Sequence, residues 1–288
     1  MKENNNFLKN STIPTLTEQQ RDECEGSITE EECLSALKGM KNGSSPGSNG
    51  LTIEFYKVFW NQLKSFLLKS FSAAFYSGSM SQVQRKAIIT LIHKGKDLSR
   101  NEMKNWRPIS LTNTDYKLLA KCLSLRLNCV IHSIIAEDQF GYMKGRQVST
   151  LLRLIDDITD YLNQNDSPGL LVTIDYFHAF DCISKEYMLE TFNCFGFGEE
   201  FVKWVSVLMS NTVSCINYCG WLSEQFATDS GIRQGCPFSP FAFILAVELL
   251  AIRLRSCNHI KGIKIPNKIA GNDFIKLLIA LYADDITF

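Results

Sequence analysis

The spacing of apolar and polar positions divides the chain into elements before any chemistry is considered. Residues 1–26 are polar and acidic with no sustained apolar period, which predicts a loosely held arm. Ser27, with Glu30 three positions on, predicts the capped start of a helix running to about residue 40. Residues 41–50 concentrate Gly, Ser, Asn and Pro and read as a loop. Apolar and aromatic positions recur at helical spacing over 51–60 and 62–76, and again, alternating with basic ones, over 115–135. The β-branched run 87–92, bounded by basic residues, predicts a strand that leads through a turn at 94–97 to 106–111. Ser149 is placed to cap a helix over 150–162 whose polar face carries Asp156, Asp157 and Asp160.

From residue 169 the pattern changes. Residues 169–175 form an uninterrupted apolar strand pattern ending in Asp175, followed by helices at 184–195 and 199–210 and a β-rich pair at 213–218 and 223–228. A loop with Gly and Pro at 231–240 opens a strongly apolar helix at 241–255, and a final apolar run at 275–288 contains Asp284 and Asp285. No internal repeat is present. Strands interleave with helices and hairpins, so the fold class is α+β.

Composition narrows the class without naming a function. Of 288 residues, 45% are hydrophobic and 21% charged, which excludes disordered and collagen-like chains. The apolar run 241–252 is too short to span a bilayer and is broken by Glu248, and the first ten residues lack the apolar core of a signal peptide. Ten cysteines include no Cys-x-x-Cys pair, and His93, His132, His178 and His259 are scattered away from them. That argues against a zinc cluster and for reduced thiols in an intracellular protein, nuclear or cytoplasmic.

The net charge of zero conceals a gradient. Residues 81–150 hold 12 basic and 5 acidic side chains, whereas residues 151–230 hold 3 and 12. Solvated helix faces would account for this. So would a cationic region suited to phosphates followed by an anionic one suited to divalent metal.

The carboxylates are the sharpest chemical signal. Asp284 and Asp285 interrupt an apolar frame, and a second apolar strand also ends in an acid, Asp175. A hairpin tip in water would accommodate the pair. If the three converge in an apolar setting, their repulsion and desolvation cost several kcal/mol unless a cation compensates. Mg²⁺ suits such oxygen ligands, and two ions about 3.5–4 Å apart could serve in-line phosphoryl displacement.

Three blocks carry a family resemblance. Tyr282-Ala283-Asp284-Asp285 resembles the catalytic box of reverse transcriptases, Asp175 through Asp181 resembles their preceding acidic motif, and Gly231 through Pro240 their Arg-Gln-Gly-x-x-x-Ser-Pro loop. Upstream, Ser45-Pro46-Gly47-Ser48-Asn49-Gly50, residues 105–113 and Gln139-Phe140-Gly141-Tyr142-Met143-Lys144-Gly145-Arg146 resemble the fingers blocks of non-LTR (LINE-type) retrotransposon polymerases.

The resemblance implies a right-hand polymerase: fingers with an N-terminal extension at 27–150, and a partial palm, an antiparallel sheet with packed helices, at 151–288. It implies an RNA-directed DNA polymerase using two Mg²⁺ ions, or Mn²⁺ in their place, an RNA template, a DNA primer and dNTPs; no membrane partner is expected, and no protein partner can be deduced from the sequence. By position, Asp175, Asp284 and Asp285 would be metal ligands, joined by the backbone carbonyl of Tyr176. Lys94, Arg107, Phe180, Gln234 and Gly235 would contact the dNTP, with Phe180 as the steric gate against a 2′-hydroxyl, although a core aromatic fits that position too. Lys144, Arg146, Arg233, Ser239 and Pro240 would face the template, and Ser239 is placed to cap the helix that follows.

Phe177-His178, Ser48-Asn49 and His93 depart from the usual family residues. The thumb is absent, and the chain stops three residues after Asp285, so the expectation is an incomplete hairpin and weak or no polymerisation. A non-catalytic nucleic-acid-binding remnant and an RNA-dependent RNA polymerase palm are the competing readings.

Overall fold

The computed structural model describes residues 12–95, 97–176, 179–266 and 274–287. Residues 1–11 of the expected arm lie outside them, as do Phe177 and His178. Helices and three sheets make a mixed α and β architecture that divides into two compact units. The division does not fall at residue 150. One unit combines 16–130 with 180–241, and the other 131–179 with 242–288.

In the larger unit β1 (Lys86–His93) pairs antiparallel with β2 (Trp106–Thr112) and parallel with β4 (Val213–Tyr218). That parallel pairing joins the segment after residue 180 to the segment before 130 in one sheet. It also makes this sheet mixed. β5 (Trp221–Leu222) and β6 (Phe226–Ala227) extend β4 as short antiparallel partners, in place of a single strand over 223–228. The helix Thr114–Val130 supplies the buried spine, with Leu118, Leu119, Leu123 and Leu127 fully enclosed. It ends sooner than expected, and Ile131–Ser133 turns as a separate 3-10 segment. Phe192, Phe197, Phe201 and Phe238 make an aromatic cluster with ring centroids 5.0–6.4 Å apart.

Residues 16–26 are held, contrary to the expectation of a loose arm. Thr17 and Gln20 form a capping box that starts a helix at Glu18–Cys24. Arg126 then takes the carbonyls of Cys24, Glu25, Gly26 and Ser27, and pairs with Glu32 through two short contacts of 2.5 and 2.8 Å. Burial tends to raise the Glu32 carboxyl, but the bonds from Arg126 win and hold it below its ordinary value. The next helix, Glu30–Gly39, is capped by Thr29 with Glu32, two residues beyond the expected cap at Ser27. The loop 41–50 is pinned by Asn113, whose amide oxygen accepts from Asn49 N at 3.2 Å, and by Lys117, which donates to Ser45 O at 2.8 Å.

In the smaller unit β10 (Asp285–Thr287) lies between β3 (Thr173–Asp175) and β9 (Ala280–Tyr282), antiparallel to both. The hairpin expected to be incomplete is therefore formed. Only the last three residues of the run 169–175 are strand, and all three are exposed, because β3 is an edge whose one partner is β10. β7 (Ile263–Pro266) and β8 (Phe274–Leu277) make a separate ribbon. The long helices of the described residues here are Val148–Gln164, which starts without a side-chain cap in place of the expected Ser149 cap, and most of Ser239–Arg255. Among the described residues no helix is long and apolar enough to cross a membrane.

Candidate active site

The alternation of side chains along β9 and β10 creates the site. Leu281 and Ile286 face each other and are buried, so the neighbouring pair Tyr282 and Asp285 projects from the opposite face. β3 repeats the pattern on the other side and sets Asp175 directly across from Asp285. Directly opposed residues of an antiparallel pair hold their Cβ atoms about 4.5–5.5 Å apart. Asp284 follows Ala283 in the two-residue turn closed by Tyr282 and Asp285. All three expected metal-binding aspartates thus gather at one end of one three-stranded sheet.

Their setting differs from the apolar enclosure considered above. Asp175 and Asp285 are exposed and Asp284 is half-buried. Partial burial pushes the Asp285 carboxyl up from its ordinary value, and the charges of Asp284 and Asp175 push the same way. Among the described residues no group of three or more His, Cys, Asp or Glu side chains lies close enough to hold a metal ion by itself, the three aspartates included. The aspartates form an open, all-oxygen set whose members repel one another. That donor chemistry fits a hard divalent cation whose remaining ligands are water and substrate phosphates. Tyr176 follows at the end of β3, its hydroxyl pushed up by burial.

The turn is held from behind by the Gln139–Arg146 block, in which the resemblance implied roles for Lys144 and Arg146 but none for Gln139. Gln139 bridges to Leu281 in parallel register, with Phe140 N donating to Leu281 O at 2.7 Å and Leu281 N to Asp138 O at 2.8 Å. The Gln139 amide oxygen accepts from Gly141 N at 2.8 Å and from Ala283 N at 3.0 Å. A Cβ on Gly141 would overlap the backbone of Ala283, so only glycine fits there. Ala283 itself has φ +56°, a left-handed conformation that costs a residue with a Cβ about 1–2 kcal/mol. Tyr142 follows at φ +56°, and its hydroxyl is pushed up by burial and by the nearby Asp284 charge. The sequence signal for this segment is a glutamine two positions before a glycine.

The same segment is anchored on its far side. Arg255 reaches Asp138 with Nε and Nη2 at 2.8 and 2.5 Å, and Glu248 with Nη1 at 2.7 Å. Arg146, expected at the template, spends Nη1 on the carbonyls of Ala136 and Gln139 at 2.5 and 2.7 Å. Lys144 is exposed.

The residues expected at the nucleotide all belong to the larger unit. Lys94 and Arg107 are exposed at the same end of the β1–β2 hairpin, where Ile92 faces Arg107. Gln234 O accepts from Ser110 N of β2 at 2.8 Å, and Gly235, at φ +100°, lies so near that a Cβ would stand 3.1 Å from Ser110 O. Phe180 is half-buried, and its carbonyl accepts from Ile232 N at 2.8 Å. Lys94, Arg107, Gln234 and Gly235 therefore converge on one hairpin, and Phe180 adjoins the Gly231–Ile232 start of the same loop.

Arg233 turns inward. Its Nη2 donates to Arg85 O and to Val213 O, and its guanidinium lies 5.1 Å from the Tyr116 ring centroid. Ser239 is buried as the first residue of its helix, not its cap, and Pro240 follows at a position where a missing N–H costs nothing.

Comparison with known proteins bears on these residues. Residues 92–288 match the family described as reverse transcriptase (RNA-dependent DNA polymerase). The chain is 31% identical over 275 residues to the transposon TX1 uncharacterized 149 kDa protein of Xenopus laevis, covering 95% of this chain and 20% of that protein. It is 27% identical over 263 residues to the retrovirus-related Pol polyprotein from type-1 retrotransposable element R2 of Popillia japonica, covering 90% and 35%. Over 259 residues it is 25% identical to the corresponding polyprotein from type-2 element R2DM of Drosophila melanogaster, covering 90% and 23%. The chain thus spans about a fifth to a third of the length of these relatives.

Proposed function

This chain belongs to the reverse transcriptase family, as a domain of the non-LTR retrotransposon type, and from that premise we propose that it extends a DNA primer with dNTPs on an RNA template. The observation that carries the proposal is the register that sets Asp175 against Asp285, with Asp284 beside them in the turn.

In this reading Asp175, Asp284 and Asp285, with the Tyr176 carbonyl, hold two divalent ions, Mg²⁺ by preference. Bound there, such ions neutralise the attacking primer oxygen and the departing pyrophosphate. Lys94 and Arg107 neutralise the triphosphate, Lys94 as a mobile point charge and Arg107 as a fork. Gly235 lets the loop backbone approach the nucleotide, with Gln234 fixed beside it through Ser110. The Phe180 ring stands against the sugar and favours dNTPs over NTPs. In this reading the unit bearing the aspartates is palm and the β1–β2 hairpin belongs to the fingers.

Mn²⁺ binding followed by electron paramagnetic resonance, together with primer extension on an RNA template, tests the proposal. Asp285→Asn should weaken Mn²⁺ binding at least tenfold and slow any extension by about a thousandfold, the equivalent of about 4 kcal/mol of lost transition-state stabilisation. Unchanged Mn²⁺ binding in Asp285→Asn would overturn it.

A further inference from the structure

We infer that Gln139 is a positioning residue for the catalytic turn: its amide oxygen holds the Ala283 N–H and so fixes the strained residue that aims Asp284 and Asp285. The inference rests on the polymerase reading for its consequence in catalysis, but not for its geometry.

Four observations converge on it. Gln139 is fully buried, at 0% exposure, where an uncharged polar side chain must be justified by its bonds. Both bonds its oxygen accepts come from backbone N–H groups of the turn and of the segment touching it. Its Nε2 is buried without a partner among the described residues, so the group is retained for its oxygen. Ala283, the residue it grips, is the one in the turn with a left-handed backbone, and such conformations persist when their surroundings over-determine them.

The surroundings here are specific. The Phe140–Leu281 and Leu281–Asp138 bonds fix the height of β9 against the segment. Gly141 fixes their separation, because no Cβ fits between it and Ala283. Arg146 ties the Gln139 carbonyl back to Ala136, and Arg255 clamps Asp138. What remains for the Gln139 side chain is the rotation of the Ala283 peptide. That peptide precedes Asp284, so a rotation there redirects both acids.

Gln139→Met removes the acceptor and keeps the bulk. Gln139→Glu keeps an acceptor oxygen at the same reach. In the 288-residue chain, amide exchange resolved to single residues should show Ala283 losing at least tenfold protection in Gln139→Met, with the Ile286 amide unchanged, and recovering in Gln139→Glu. Gly141→Ala should expose the Ala283 amide in the same way with Gln139 intact. Mn²⁺ affinity should fall at least fivefold in Gln139→Met and in Gly141→Ala. Where the parent extends a primer, kcat should fall at least tenfold with KM for dNTP changed less than twofold. Wild-type protection of Ala283 in Gln139→Met, or loss spread equally over Ala283 and Ile286, overturns the inference. A parent that neither binds Mn²⁺ nor extends a primer overturns the polymerase reading instead, while the exchange result still decides the role of Gln139.

Discussion

Replacing Arg255 with Met removes the one cation between two carboxylates and leaves the hydrocarbon volume nearly intact. Arg255 makes three bonds of 2.5–2.8 Å, two to Asp138 and one to Glu248, whose side chain is 1% exposed. Removing one partner of a buried ion pair costs about 3–5 kcal/mol, because the other charge is stranded out of water. Asp138 is a quarter exposed and screened by solvent, so its share is under about 1 kcal/mol. Glu248 therefore dominates, and its titration gives the loss a pH signature. Burial already pushes its carboxyl above the ordinary value, with Arg255 pulling it back. A raised folded-state pKa means that the folded chain binds the proton more tightly than the unfolded chain. Stability then falls as pH rises from the unfolded value through the folded one. Without Arg255 the folded value rises further and the window extends upward. Urea unfolding of Arg255→Met should show a loss of about 3–5 kcal/mol at pH 8 that shrinks as pH falls through the raised folded-state value, where the folded chain takes up the proton on Glu248. Adding Glu248→Gln should recover about half of the loss at pH 8 and remove most of the pH dependence. A loss under about 1 kcal/mol, or one equal at pH 5 and pH 8, would refute the stranded-charge reasoning.

Arg126→Met should destabilise the larger unit by about 3–5 kcal/mol in the same assay, since Arg126 is 7% exposed on its side chain and serves Glu32 and four carbonyls. Limited proteolysis should then cut first within 16–27; cutting unchanged from the parent would deny Arg126 that anchoring role. Phe180→Val should relax discrimination between dNTP and NTP in a chain that extends a primer, with dNTP use itself changed less than the ratio. An unchanged ratio of kcat/KM would remove the gate role and leave Phe180 as packing.

The candidate site was legible where chemistry and periodicity coincide. Asp175 and Asp285 stand out because each lies at the end of an apolar run and within a block that resembles a family motif, while the register that sets them opposite one another came only with the fold. The support was not legible. Gln139 acts through its side-chain oxygen on a backbone N–H 144 positions away, and no local pattern encodes such a contact. Arg146 and Arg233 were placed at the template by the resemblance of the blocks that contain them. In the fold Nη1 of Arg146 and Nη2 of Arg233 donate to backbone carbonyls. The two compact units were not legible for a related reason: the parallel pairing of β1 with β4 joins segments more than a hundred residues apart, which helix and strand periods cannot reveal. The helix at Glu18–Cys24 was missed because it is short and polar, and only its capping box marked it.

The exposure of the acids also separates what the hairpin needs to stand from what it needs to act. Were Asp175, Asp284 and Asp285 buried, neutralising one would relieve a large desolvation cost, and the hairpin would depend on a bound cation to fold. Because Asp175 and Asp285 face water, the raised Asp285 carboxyl reflects modest burial and mutual repulsion, not a site unfolded without metal. The sign follows: a raised folded-state pKa in an acid makes the ionised form slightly destabilising above the unfolded value near 4. In chelator at pH 8, Asp285→Asn should therefore melt at the same temperature as the parent or slightly higher. The parent's midpoint should rise with added Mg²⁺ while that of Asp285→Asn should not. A variant that melts well below the parent in chelator would show that Asp285 is a structural residue of the hairpin. The division of labour between an exposed reactive face and a buried positioning segment would then be wrong.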